Sequence, residues 1–471
     1  MNGTMMQYFE SGISHSERLW RKVSYEAGHL ADLGITALWL PPAYKGAHGK
    51  NDVGYGVYDL YDLGEFDQKG TIQTKYGTKE DYLWAIQDCH RYGLQVYADM
   101  VFDHKMGADE FEVVEARSVA GNNRLHTTSK KHWIKAPTMF YFNGRYKYSP
   151  FIWTKDHFKG VDFDLLTYKK GIYLFEGKQW SDKVDKENGN YDYLMGADVD
   201  VNYPDVRDEL VRFGHWYTEL TQVDGFRLDA IKHIDYEFYR DWLKEMRTKR
   251  DFFCVGEYWS GITDVLCEYL YHVDYSMSLF DVPLHYRFYE CSNNKDYDLR
   301  NLYRDTLVSR DPMHAVTFVD NHDTAPRQGL STYVKKWFKP MAYACILLRQ
   351  EGYPCVFYGD YYGLKTNKGI QKELDILLKC RKLLAYGYQR DYIDNDYFGF
   401  TRDAGVGVLF SLRHDQELWM EIGHANEVFV DVFHPSRKVY INQDGWGCFF
   451  CEKEKLSVFI PEYRYGEIKR G

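Results

Sequence analysis

Gly225-Phe226-Arg227-Leu228-Asp229-Ala230-Ile231-Lys232-His233 decides the reading of this chain. Phe226 and Leu228 alternate with Arg227 as the residues of a short buried strand, entered by Gly225 and ended abruptly by the carboxylate of Asp229. Asp235 then opens a helical run through Tyr236-Glu237-Phe238-Tyr239. An acid where a buried strand meets its loop sits at the edge of an apolar core, where it is held rigid and partly desolvated. Arg227 shares a face of the strand with Asp229 and can keep that acid ionised. An isolated Asp in this position would more simply cap the next helix. The same strand-then-acid pattern occurs twice more, and that repetition favours chemistry.

Outward from this stretch, strands and helices alternate. Strands are predicted at 5–9, 37–40, 94–101, 225–229, 253–257, 274–281, 315–320 and 353–358. Helices are predicted at 18–33, 79–92, 205–220, 236–248, 262–272, 298–308, 337–349 and 372–386. Eight strands with about eight helices close a (β/α)8 TIM barrel. Residues 104–206 interrupt the rhythm with a polar, aromatic, β-rich stretch, an irregular insertion after the third strand. From about 391 the pattern becomes short alternating runs such as Gly407-Val408-Leu409-Phe410-Ser411-Leu412, a C-terminal antiparallel β domain. The expected division is a catalytic barrel over 1–103 and 207–390, an inserted domain over 104–206, and a C-terminal β-sandwich over 391–471.

A chain of 471 residues with 45% hydrophobic and 27% charged residues has the make-up of a soluble multidomain protein. No apolar run approaches the roughly 20 residues that span a bilayer, so no membrane partner is expected. The start, Met1-Asn2-Gly3-Thr4-Met5-Met6-Gln7-Tyr8, has neither a basic nor an apolar signal region, which points to the cytoplasm or to a trimmed secreted form. The 59 basic against 69 acidic residues give a net charge of −10, which argues against nucleic acid. Nine scattered cysteines fit a reducing compartment. Aromatic residues reach 17%, a surplus of flat faces that suits a sugar-binding cleft.

In a (β/α)8 barrel the active site gathers where the strands end. Asp229 follows the fourth strand, Glu257 the fifth, and Asp323 closes Val319-Asp320-Asn321-His322-Asp323 after the seventh. Glycoside cleavage needs one carboxyl to protonate the leaving oxygen and one to face the anomeric carbon, about 5–5.5 Å apart when configuration is retained. Neighbouring strands bring Asp229 and Glu257 into that range. Glu257 sits between Cys254-Val255-Gly256 and Tyr258-Trp259, an apolar setting that raises its pKa and keeps it an acid. His104 and His322 fall on the same rim, placed to hold sugar hydroxyls.

Four motifs now stand together: Asp99-Met100-Val101-Phe102-Asp103-His104, Gly225 to His233, Val255-Gly256-Glu257-Tyr258-Trp259, and Phe318 to Asp323. With Asp52 to Phe66 and Glu187 to Ala197, they make a chain that resembles the α-amylases of the large α-glucan hydrolase family, of the bacterial liquefying and intracellular types. The resemblance implies Asp229 as nucleophile, Glu257 as general acid/base and Asp323 as transition-state stabiliser. It implies that Arg227, His104, His322 and Tyr55 line the subsite where the bond is cut, with Lys232 and Trp259 on the leaving-group side. It further implies calcium between barrel and insertion, held at the positions of Asp103, Asp192, Asp198 and the main-chain oxygen of His233, with Asp162 as a further candidate. Here Asp103 stands where the family carries Asn.

The activity implied is retaining, endo-acting hydrolysis of α-1,4-glucosidic bonds in starch, glycogen or maltodextrins, by a monomer. The alternatives are a transglycosylase on the same scaffold and a glucan-binding protein without catalysis.

Overall fold

The computed structural model describes residues 2–469; Met1, Arg470 and Gly471, the ends of the outer predicted ranges, lie outside them. Eight parallel strands close into a barrel: β1 Met5–Gln7, β2 Ala37–Leu40, β3 Gln95–Met100, β4 Gly225–Leu228, β5 Phe253–Gly256, β6 Ser278–Phe280, β7 Ala315–Phe318 and β8 Tyr353–Phe357. Each pairs with its neighbours in chain order, and β8 returns to β1. The strands are buried on nearly every residue, as expected where a sheet is covered on both faces.

Local chemistry explains the helices. Leu19–Leu33 buries Leu19, Trp20, Val23, Ala27, Leu30 and Leu33, a stripe at three- and four-residue spacing, and ends on Gly34 in the left-handed region (φ 105°). Thr78 caps Lys79–Arg91 by accepting from the Asp81 amide, and Asp235 caps Tyr236–Met246 by accepting from the Glu237 amide. One predicted helix is misplaced. In place of a helix at 298–308, the outer layer after β6 is the helix Val282–Asn293, while 298–308 holds only short turns, Leu299–Asn301 and the start of Leu307–Arg310. Asp281 caps the unforeseen helix and Pro283 occupies its first turn, whereas Asp305 (φ 51°) breaks the predicted one.

The insertion is built on an antiparallel sheet. Its strand Ala197–Val199 pairs on one side with Phe158–Asp164 and on the other with His104–Lys105, which starts on the last residue of the first motif. The chain beyond the last barrel helix, Gln371–Leu384, forms a six-stranded antiparallel sheet and a two-stranded ribbon, Gln416–Glu421 with Trp446–Cys451. Leu409, Met420, Ile422, Phe429, Phe449 and Phe459 make a separate core between them. Among the described residues no helix is long and apolar enough to cross a membrane.

Candidate active site

Barrel register brings the site together. Arg227 on β4 lies opposite Asp99 on β3 and Val255 on β5, and Leu228 lies opposite Gly256. The ladder runs one bond further on each side: the Asp229 amide donates to Met100 O at 2.9 Å and the Glu257 amide to Leu228 O at 2.9 Å. Asp229 and Glu257 are thus the first residues past the ends of adjacent strands. Gly256 is closely packed here: a Cβ on it would stand 2.4 Å from Ile231 Cδ1, so a larger residue would have to push that side chain aside.

Arg227 is completely buried and serves three carboxylates. Its Nη1 lies 2.9 Å from Asp99 Oδ1 and 2.5 Å from Asp229 Oδ1, and its Nη2 lies 2.8 Å from Glu257 Oε2. The last contact is an ion pair without hydrogen-bond alignment. Asp99 also accepts from Trp39 Nε1 at 2.9 Å and from the Tyr55 hydroxyl at 2.8 Å. Tyr55 in turn stacks flat on His322, with ring centroids 5.1 Å apart.

His322 receives the Gln7 amide on Nδ1 at 3.0 Å and turns Nε2 towards Asp323 Oδ2 at 3.3 Å. That network assigns a neutral imidazole with its proton on Nε2. Burial, with the nearby Arg227 charge, pushes the His322 pKa down to about 3, in agreement. His104 differs. Its Nε2 donates to the Tyr55 carbonyl at 2.8 Å and its Nδ1 lies 3.0 Å from Asp103 Oδ2. Burial depresses its pKa, but Asp103, the Tyr55 carbonyl and Asp229 together raise it overall.

Burial pushes Glu257 up to about 7; Arg227 opposes that shift, while Asp323 and Asp229 add to it. The apolar setting read from the sequence is therefore present, with neighbouring acids reinforcing it. Asp323 is the most open of the three acids and is also raised, by desolvation first. Lys232 and Trp259 meet beside Glu257, where Lys232 Nζ donates to Glu187 Oε2 at 2.7 Å and to the Trp259 carbonyl at 3.2 Å. A cleft of about 520 Å³ opens on this side, lined by Glu187, Lys232, Tyr258, Ser260 and Tyr269. The three acids border the barrel mouth and do not line that cleft.

The predicted metal positions lie at one junction without converging on a common point, and a lysine already stands among them. Asp103, Asp192 and Asp198 are buried, and each has one carboxylate oxygen that accepts no hydrogen bond: Asp103 Oδ1, Asp192 Oδ1 and Asp198 Oδ2. Lys159 Nζ donates to Asp192 Oδ2 and stands 3.6 Å from Asp198 Oδ2. Asp162 is half-buried and accepts from the Gly196 amide at 3.1 Å. His233 directs its ring to the Tyr191 carbonyl at 2.7 Å. No three His, Cys, Asp or Glu side chains among the described residues converge as a metal site.

Four residues that the sequence reading did not single out belong to these networks: Gln7, Trp39, Asp99 and Lys159. Asp99 opens the first motif, and that position was the available signal. The other three depend on partners far away in the chain.

A (β/α)8 barrel whose mouth carries a carboxylate pair bridged by a buried arginine, with a third acid across from it, has the arrangement that glycoside hydrolysis uses. The chain belongs to the α-amylase family: residues 21–396 match the family model described as "Alpha amylase, catalytic domain". It is 50% identical to an α-amylase of Geobacillus stearothermophilus over 98% of this chain and 87% of that one. It is 39% identical to the cytoplasmic α-amylase of Escherichia coli K12 over 98% and 99%. Among solved structures, an Anoxybacillus α-amylase superposes with a TM-score of 0.65 at 19% identity, covering 98% of this chain and 96% of that one. That last likeness speaks for the fold. By family, the chain is an α-amylase.

Proposed function

We propose that this chain cuts α-1,4-glucosidic bonds within starch, glycogen or maltodextrin chains and retains anomeric configuration through a covalent glycosyl-enzyme. The observation that carries the reading is the single guanidinium of Arg227 reaching both Asp229 and Glu257 from the floor of the barrel mouth. Glu257, protonated below about pH 7, donates its proton to the departing sugar oxygen while the Asp229 carboxylate attacks the anomeric carbon. Glu257, now a carboxylate, takes a proton from the water that breaks the glycosyl–Asp229 bond. Asp323 holds the sugar more tightly as it flattens towards the oxocarbenium ion, so its help is felt in the transition state.

Tyr55, flat against His322, offers its ring to the sugar in the cut subsite, and Arg227 and His104, both buried, hold the acids and the Tyr55 carbonyl behind that wall. Lys232 and Trp259 meet the leaving-group side, where the 520 Å³ cleft continues the path of the glucan chain. The three-part division into a barrel (1–103 and 207–390), an insertion (104–206) and a C-terminal domain (391–471) is part of this reading.

The donor set supports calcium. Hard oxygen ligands suit it, and three buried carboxylate oxygens, on Asp103, Asp192 and Asp198, accept no hydrogen bond, although Lys159 stands 3.6 Å from the one on Asp198. The His233 carbonyl and Asp162 would complete the protein's share of the shell. When bound, calcium supplies fixed positive charge where the insertion meets the barrel; the bond-breaking steps run on the acids. A monomer in the cytoplasm fits the rest. Nine cysteines stand as free thiols, and one relative is named a cytoplasmic α-amylase.

Product analysis on maltoheptaose tests the reaction. The expected result is shorter oligosaccharides alone, released as α anomers. Products longer than the substrate would make the chain a transglycosylase, and β anomers released first would rule out retention.

A further inference from the structure

We propose that the ammonium of Lys159 is a built-in cation at the junction of insertion and barrel, holding Asp192 and Asp198 together so that the junction survives removal of divalent metal. This goes beyond the calcium assignment above and bears on the same carboxylates. Lys159 lies in the strand Phe158–Asp164 and is only 4% exposed. A lysine is almost never buried this deeply unless it is paired. Its partners come from two different segments. Asp192 sits in the loop after Asn190, where its amide bonds Asn190 Oδ1 and its Oδ2 also accepts from the Ser181 amide at 3.0 Å. Asp198 sits in the strand Ala197–Val199, which links the insertion sheet to the barrel rim.

The same strand continues into the site. Asp198 lies opposite His104, and the Val199 amide donates to Asp103 O at 2.9 Å. His104 holds the Tyr55 carbonyl, so the lysine's hold on this strand reaches the subsite wall. Three carboxylates in one buried cluster repel unless positive charge stands among them. Lys159 supplies part of that charge. Two oxygens, Asp103 Oδ1 and Asp192 Oδ1, remain with neither a hydrogen bond nor an ion pair, while Asp198 Oδ2 faces the lysine alone. The lysine takes Asp192 Oδ2 and stands beside Asp198 Oδ2, where a divalent cation would otherwise be called for.

The test uses the full chain, first as isolated and then stripped with EDTA, with melting, limited proteolysis of 104–206 and calcium titration as readouts. For the wild type, stripping is expected to lower Tm by about 5 °C or less, leaving the insertion uncut. Lys159→Met, similar in length but uncharged, is expected to lose at least about 10 °C on stripping. It is also expected to bind calcium at least about tenfold more tightly than the wild type, because a competing positive charge has gone. Lys159→Arg should behave like the wild type. Equal chelator sensitivity and equal calcium affinity in wild type and Lys159→Met would overturn the proposal, as would rapid cleavage of the insertion in stripped wild type. If Lys159→Met does not fold, the stripped wild type decides alone. Wild type that binds no calcium at all removes the calcium assignment, while the Lys159 inference still stands or falls on the variant.

Discussion

Glu257→Gln is expected to lower kcat on starch by about 10²–10⁴-fold, the usual worth of a placed proton donor, with the fold intact. Gln keeps the shape of the side chain and can still meet Arg227 Nη2, but it cannot give a proton to the leaving oxygen. A substrate whose leaving group departs without protonation, such as a nitrophenyl maltoside, should lose much less in the first step. The wild-type pH profile belongs to the same prediction. Because Glu257 is raised to about 7, kcat/KM should decline tenfold per unit above that pH, and the variant should lack this limb.

Stability follows with a definite sign. An acid raised from 4.5 to about 7 on folding favours the fold fully below pH 4.5, and that contribution is lost as pH rises through 7. Gln carries no such loss, so at pH 8 the variant should melt at or above the wild-type temperature. Starch hydrolysis unchanged in Glu257→Gln would show that the acid is elsewhere.

Arg227→Met is expected to damage both stability and catalysis. The guanidinium is the shared partner of Asp99, Asp229 and Glu257, and all three are largely buried. Removing one partner of a buried ion pair leaves the other charge uncompensated, at a cost of about 3–5 kcal/mol. Denaturant unfolding should show a loss of that size. Activity should fall by at least about 10²–10³-fold, since the donor that positions both carboxyls has gone. A double variant, Arg227→Met with Asp99→Leu, should recover part of the stability and none of the activity, because it neutralises the stranded acid without restoring the hold on Asp229 and Glu257. An Arg227→Met protein with wild-type unfolding and turnover would mean that other groups set the geometry of the acids.

Much of this was legible in the residues. Strand ends marked by acids after Val, Phe and Leu runs could be read because barrel strands are short, apolar and punctuated by polar loops. Asp229, Glu257 and Asp323 follow β4, β5 and β7 as expected. Their local environment was legible too, since Glu257 lies between apolar neighbours in the sequence itself. What stayed hidden depends on pairing at a distance. Asp99 matters because closure of the barrel puts it opposite Arg227, 128 residues away. Gln7 meets His322 across 315 residues. Lys159 reads in the sequence as one lysine in a polar stretch, and only the fold of the insertion sets it between Asp192 and Asp198. The helix Val282–Asn293 was obscured because His285, Tyr286, Tyr289 and Cys291 are weak helix formers; its cap and its packing against the barrel decide the matter.

The account turns on Asp229 forming a bond to the sugar. A fluorinated maltosyl fluoride, which slows release of the intermediate more than its formation, should leave one glycosyl adduct per chain, and peptide mass spectrometry should place it on Asp229. An adduct on any other residue, or full turnover of the probe with inversion and no adduct, would contradict the mechanism.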